Sequence, residues 1–309
     1  MATPLVPQEI YLLERYCSVE YYAEMLNAWT KMVDVAEEAL RQFSLNLPPQ
    51  HRKLPLYEQY DITWGDRVLP NFRSTLASLQ SGYVMLQQGD LSALGFGGNV
   101  KSAINGQTSD YPTDWMPKDL EKQFWDWQLI AGHIGFNLSR TEMAGWTLNS
   151  LRNGYSEAYR GPLTPPSSWP KYRLNPNVTV KTGDTVKQSG IYLPSCDDSC
   201  AAVQIKGYEC YEAEVGYDPI TTHAQFRSDT TWTLVERIAD SGGGIPGATD
   251  EVTAGVRIRV EAGQTCPREG YYFTPAKVDS RRVFKQGEVM PEFNSKYGAT
   301  IWQWDQDQS

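Results

Sequence analysis

Histidine is scarce in this chain: three in 309 residues, His51, His133 and His223, none near another. A catalytic triad needs a nucleophile, a histidine and an orienting acid that meet in space. No serine or cysteine here stands in a nucleophile-elbow context. His133, between Ala131 and Ile134, reads as a half-buried, hydrogen-bonded side chain and not as a base. Cysteine is also sparse and odd in number, with Cys17, Cys196, Cys200, Cys210 and Cys266, which argues against a disulfide framework. Only Cys196 and Cys200 have a zinc-like spacing, and Asp197 and Asp198 between them would crowd thiolates with negative charge. Reduced core cysteines therefore outweigh a metal site, and no cofactor is called for. No apolar run reaches the length of a membrane span. The opening MATPLVPQEIYLLERY lacks the basic and apolar regions of a secretory signal, so a cytoplasmic location is expected. A basic excess is missing too. Net charge is −9, shared as −5 over residues 1–160 and −4 over 161–309. That disfavours a nucleic-acid face and suits a basic protein partner.

What is present begins with helical periodicity. Pro7 opens a short helix running to about Cys17, and Ser18 is placed to cap the next. Tyr22, Leu26, Trp29, Val33, Ala36, Leu40 and Phe43 then recur at spacings of four and three, one face of a long helix stopped by Pro48-Pro49. Phe72, Leu76, Leu79, Tyr83 and Leu86 predict a second such helix from about Pro70 to Gly89. Residues 91–115, rich in Gly, Asn and Ser, read as a long connection with one helical turn. Within it Gly95–Ser102, GFGGNVKS, nearly spells a phosphate loop, but Val100 stands where glycine is required. Leu120, Phe124, Trp127, Ala131 and Ile134 mark a third helix. Ser139 with Glu142 resembles a capping box for a fourth, aligned on Ala144, Leu148, Leu151 and Tyr155. Four stripes of similar length predict a helical bundle.

Composition changes at Gly161. The segment GPLTPPSSWP holds four prolines and no charge, so residues 161–176 are read as a semi-rigid linker between a helical domain, 1–160, and a β domain, 177–309. Short strands are predicted at Val178–Val180, Ile191–Leu193, Ala202–Ile205, Thr231–Val235, Val256–Val260 and Tyr271–Thr274. The expected class is α+β, a helical bundle followed by antiparallel sheet in two related barrel-like units. The relation comes from a repeat, about 189–235 and 269–305. Ser189–Pro194 parallels Glu269–Thr274, and Thr230–Leu234 parallels Ala299–Gln303.

The tail carries a further likeness. Cys266-Pro267, Gly270-Tyr271-Tyr272-Phe273-Thr274-Pro275, Ser280-Arg281-Arg282, Gln286 to Pro291 and Tyr297 to Trp304 follow one another in an order that resembles the immunity protein 71/72 families of bacterial polymorphic-toxin and type VI secretion systems. Leu69-Pro70-Asn71-Phe72 and Leu86-Gln87-Gln88-Gly89-Asp90 add to it. The resemblance implies a protein that binds a cognate toxin domain and silences it stoichiometrically. A detoxifying hydrolase and an effector adaptor are the rivals. The residues themselves nominate one surface: Asp197, Asp198, Tyr208, Glu209, Tyr211, Glu212, Glu214 and Asp218, with Tyr217, interleave carboxylates and tyrosines in one stretch. Rigid aromatic anchors among acids suit a basic partner. A homodimer of the bundle is left open.

Overall fold

Proline in the first turn starts α1 (Pro7–Tyr16). Ser18 then caps α2 (Val19–Leu45), its hydroxyl accepting from the Tyr21 amide at 3.1 Å. α2 buries Tyr22, Met25, Trp29, Met32, Val33 and Ala36, the predicted face widened by its i+3 neighbours. A short α3 (Tyr60–Thr63) leads through a π turn at Trp64–Val68 into α4 (Leu69–Gln87). Trp29 Nε1 donates to the Phe72 carbonyl at 3.0 Å, tying α2 to α4. The computed structural model describes residues 3–218, 220–221, 223–238, 259–274, 280–293 and 300–305.

Two helical expectations fail. The supposed connection 91–115 contains a 3-10 turn, Leu91–Phe96, and a full helix, α5 (Gly97–Asp110). Its glycine, asparagine and serine content has poor helix propensity, yet burial of Val100, Ala103 and Gln107 against α6 (Lys118–Glu142) overrides that. The glycines make this contact possible: a Cβ on Gly97 would lie 2.4 Å from the Gly135 carbonyl oxygen of α6. GFGGNVKS is thus the start of a packed helix. The predicted fourth helix is also absent. α6 runs on to Glu142, past the supposed cap, and the chain then turns through left-handed Ala144 (φ 49°) and Asn149 (φ 66°). Trp146 drops into the core there, its Nε1 donating to Thr141 Oγ1 at 3.0 Å. Only α7 (Glu157–Arg160) follows.

Strands then take over. β1 (Tyr172–Lys181) opens inside the stretch read as linker, and Asn175 to Thr179, around Pro176, forms an irregularity in its pairing. β2 (Gly190–Pro194), β3 (Ala202–Gln204), β4 (Ala213–Val215), β5 (Phe226–Ser228) and β6 (Thr231–Arg237) complete the first set. They form an antiparallel sheet in the order β1-β6-β2-β3 and a separate β4–β5 ladder. One face of the larger sheet, with Ile191, Leu193, Val203 and Val235, joins the helical core. Its other face, with Tyr192, Ala202, Trp232 and Leu234, closes on Val186, Cys210 and β4.

β7 (Arg259–Glu261), β8 (Gly270–Phe273), β9 (Arg282–Phe284) and β10 (Ile301–Trp304) form a second antiparallel sheet, in the order β7-β10-β8-β9. Most of the predicted strand Val256–Val260 lies outside the described residues. Two compact units result, Met1–Gly247 and Ala248–Ser309. The α+β class is what the chain shows: helices first, antiparallel sheets after.

The two sheets repeat one plan down to single hydrogen bonds. Ile191↔Val203 and Tyr192↔Ala202 in the first match Tyr271↔Val283 and Tyr272↔Arg282 in the second. Left-handed Gly183 and Gly207 match Gly263 and Gly287, each 80 residues on. The Gly207 amide donates to the Val186 carbonyl, and the Gly287 amide to the Cys266 carbonyl, both at 2.8 Å. Tyr192 Oη donates to the Gln188 carbonyl and Tyr272 Oη to that of Arg268. Trp232 Nε1 and Trp302 Nε1 donate at 2.9 Å to the carbonyls of Tyr211 and Pro291. The tryptophans therefore correspond, so Thr230 matches Thr300, one position away from the sequence-based pairing with Ala299. Between the matched positions the first copy has residues 212–229 and the second 292–299. The surplus in the first is the β4–β5 hairpin.

Candidate acidic hairpin surface

The nominated acidic stretch is divided by the fold into two groups. Tyr208 and Glu209 sit on the turn after β3, where the Tyr208 carbonyl accepts from the Val186 amide and Glu209 bridges Thr185. Tyr211 is half-buried, and its carbonyl is the acceptor that fixes Trp232, so this residue serves the core as much as the surface. Glu212 is exposed just before β4.

The other group gathers on the inserted hairpin. Asp197 and Asp198 are exposed in the β2–β3 connection, with Asp198 in the left-handed region (φ 50°). The Asp198 carbonyl accepts from the Gly216 amide at 2.8 Å, and Ser199 Oγ donates to the Glu214 carbonyl at 2.8 Å. Those two bonds hold the aspartates against β4. Glu214 crosses the ladder to Arg227, whose Nε donates at 3.0 Å. Asp218 Oδ1 accepts from the Ile220 amide at 2.8 Å, and this backbone bond holds its carboxyl below the usual carboxylate range. The hairpin shows apolar side chains beside the acids: Ile220 is 90% exposed, Phe226 57% and Tyr217 38%. Together they place three exposed apolar side chains among the acids of one inserted element. A cavity of about 360 Å³ at its base is lined by Arg140, Glu214, His223, Ala224, Phe226 and Arg227.

Sequence reasoning missed Arg140, His223, Phe226 and Arg227. The available signal was the surplus length of the first copy, visible in the bounds 189–235 against 269–305. The cysteines lie apart. Cys200 Sγ donates to the Trp146 carbonyl at 3.1 Å, Cys210 belongs to the first sheet's core, and Cys266 is in the second unit's core. Burial pushes the Cys210 thiol up to about 12. Among the described residues no three His, Cys, Asp or Glu side chains gather as a metal ion would need. Nor is any described helix long and apolar enough to cross a membrane. His133 Nε2 donates to the Ala158 carbonyl at 3.0 Å, linking α6 to α7.

A second polar cluster stands where α1 meets the sheet. Glu14 Oε2 accepts from Tyr172 Oη at 2.7 Å and from Arg237 Nη1 at 3.1 Å. Burial raises the Glu14 carboxyl, against the pull of both donors. Nearby Glu9 is almost fully enclosed, with Arg152 Nε 3.3 Å from its Oε1. Burial lifts the Glu9 carboxyl to about 7, opposed by Arg152. No protein-family model, curated protein or solved structure matches this chain.

Proposed function

We propose that the chain is an immunity protein: a stoichiometric binder that neutralises a cognate toxin domain by covering its active site or holding it inactive. The observation that carries this reading is the β4–β5 hairpin, present in the first sheet unit and replaced by a shorter segment in the second. It combines exposed Phe226, Ile220 and Tyr217 with the carboxylates of Asp197, Asp198 and Asp218. Apolar anchors provide contact area, and the acids favour a basic partner and speed the encounter. The tail's resemblance to immunity protein 71/72 families points the same way. A cytoplasmic site of action fits this role, because the toxin must be silenced inside the cell that makes it.

Co-expression with the toxin domain encoded beside it tests the reading. Restored growth together with a purified one-to-one complex is the expected result. Restored growth without a complex would favour enzymatic detoxification and direct attention to His223 and Glu214 in the hairpin cavity. A complex without restored growth would make the protein an adaptor.

A further inference from the structure

The β4–β5 hairpin is rich in acids, yet the cavity of about 360 Å³ at its base has the opposite balance. Its lining sets two arginines, Arg140 and Arg227, against one carboxylate, Glu214, and His223 adds a further positive charge when protonated. Asp197, Asp198 and Asp218 are not among the lining residues. Asp218 stands outside, its Oδ1 accepting from the Ile220 and Thr221 amides, and is the acid that balances a protonated His223. The lining alone therefore carries one positive charge in excess.

That excess belongs to Arg140. Arg227 Nε is committed to Glu214 at 3.0 Å. Arg140, in the last turn of α6, takes part in no side-chain hydrogen bond or ion pair among the described residues. It is nonetheless held in place. Its Cδ, Nε and Cζ lie along Gly145, where an added Cβ would stand 3.2, 3.3 and 3.5 Å from them. The bare glycine lets the half-buried side chain rest against the turn, which lowers the ordering cost of using it. Arg160 reinforces the excess. It stacks over the neighbouring Trp146 ring at 5.1 Å, and its Nη1 donates to the Ser150 and Gly154 carbonyls at 2.6 and 3.3 Å. No carboxylate pairs with it among the described residues. Burial lowers the Arg160 guanidinium, and the like charge of Arg140 pulls the same way.

We propose that this cavity is a carboxylate-binding site anchored by Arg140, filled in the complex by an Asp or Glu side chain of the toxin. The proposal rests on the immunity reading and deepens it, since it names a group that the partner carries. One carboxylate restores one-to-one pairing with the two arginines and Glu214. The planar guanidinium fork matches the two oxygens of a carboxylate. Phe226 and Ala224 in the wall exclude water and strengthen the pairing. A single acid on an otherwise basic partner, seated below the aspartates, fixes the register of the contact and rejects basic surfaces that lack it.

The test uses the full chain in two arms. In the first, Arg140→Gln and Arg140→Lys are titrated with the toxin domain encoded beside the chain, by calorimetry, with circular dichroism to follow the fold. Arg140→Gln should weaken binding at least about tenfold, and Arg140→Lys, which keeps the charge and loses the fork, should recover part of that. In the second, sodium acetate and sodium phosphate are added separately to the free chain at constant ionic strength, and the Nε–Hε resonances of Arg140 and Arg227 are followed by NMR. Acetate should give a saturable shift, and the Arg227 response should vanish in Arg140→Gln. Undiminished toxin affinity in a folded Arg140→Gln variant would overturn the toxin side chain as occupant. Saturation by phosphate and not by acetate, or by neither, would overturn the carboxylate site itself. Failure of the unaltered chain to bind the toxin would overturn the immunity reading, and the acetate arm would still decide the site.

Discussion

Glu9 shows how one buried carboxyl sets a pH response. Its folded value of about 7 lies above the ordinary 4.5, so the folded state holds the proton more tightly than the unfolded chain. The stability tied to that proton is complete below about pH 4.5 and is lost as pH rises toward 7. The full difference is worth about 3 kcal/mol. Urea unfolding from pH 4.5 to 8 should show this decline, and Glu9→Gln should flatten it; an unchanged slope would assign the effect elsewhere. Glycine makes an equally local demand at Gly97. A methyl group there meets the Gly135 carbonyl oxygen at 2.4 Å, backbone that can yield only by moving α5 away from α6. Gly97→Ala should therefore cost about 1–3 kcal/mol, as overpacking does, measured by the same unfolding experiment.

Elements, more than residues, decide which surfaces are offered. The β4 strand of the hairpin is tied to the β2–β3 connection by the Gly216 and Ser199 hydrogen bonds. Asp197→Lys with Asp198→Lys should weaken toxin binding at least tenfold and leave thermal unfolding unchanged. Phe226→Ser should do the same through lost contact area, and calorimetry would check both. The sequence makes α1, α2, α4 and α6 legible because each carries a stripe at spacings of three and four, with Pro7, Ser18 and Pro48 as punctuation. α5 is hidden because its helicity comes from contact with α6, which no local pattern records. The false helix after Ser139 has the opposite cause: a good local cap is overruled by burial of Trp146, which drives the chain into left-handed turns. At the candidate site the acids are visible as composition. The pairing that brings Glu214 and Asp198 together, and the exposure of Phe226 beside them, depends on strand register.

On the scale of the whole chain, one sheet plan is used twice under different cover. The first copy is buried on its outer face by α1 and α6 and extended by a hairpin. The second keeps the Tyr272–Trp302–Phe284 core, and on its other face Arg281 pairs with Asp305. The resemblance in the tail falls on that second copy, and much of it concerns core residues such as Trp302 and Tyr272. The likeness therefore bears on the packing plan of the second copy. Stoichiometric inhibition is the central claim. The direct measurement is titration of the purified toxin domain's activity with increasing amounts of the chain. The account predicts a linear loss of activity that reaches its end at one chain per toxin, independent of incubation time once the complex has formed. Progressive loss at a small fraction of that ratio would contradict it and indicate catalysis. A bound complex with full toxin activity would contradict it in favour of an adaptor.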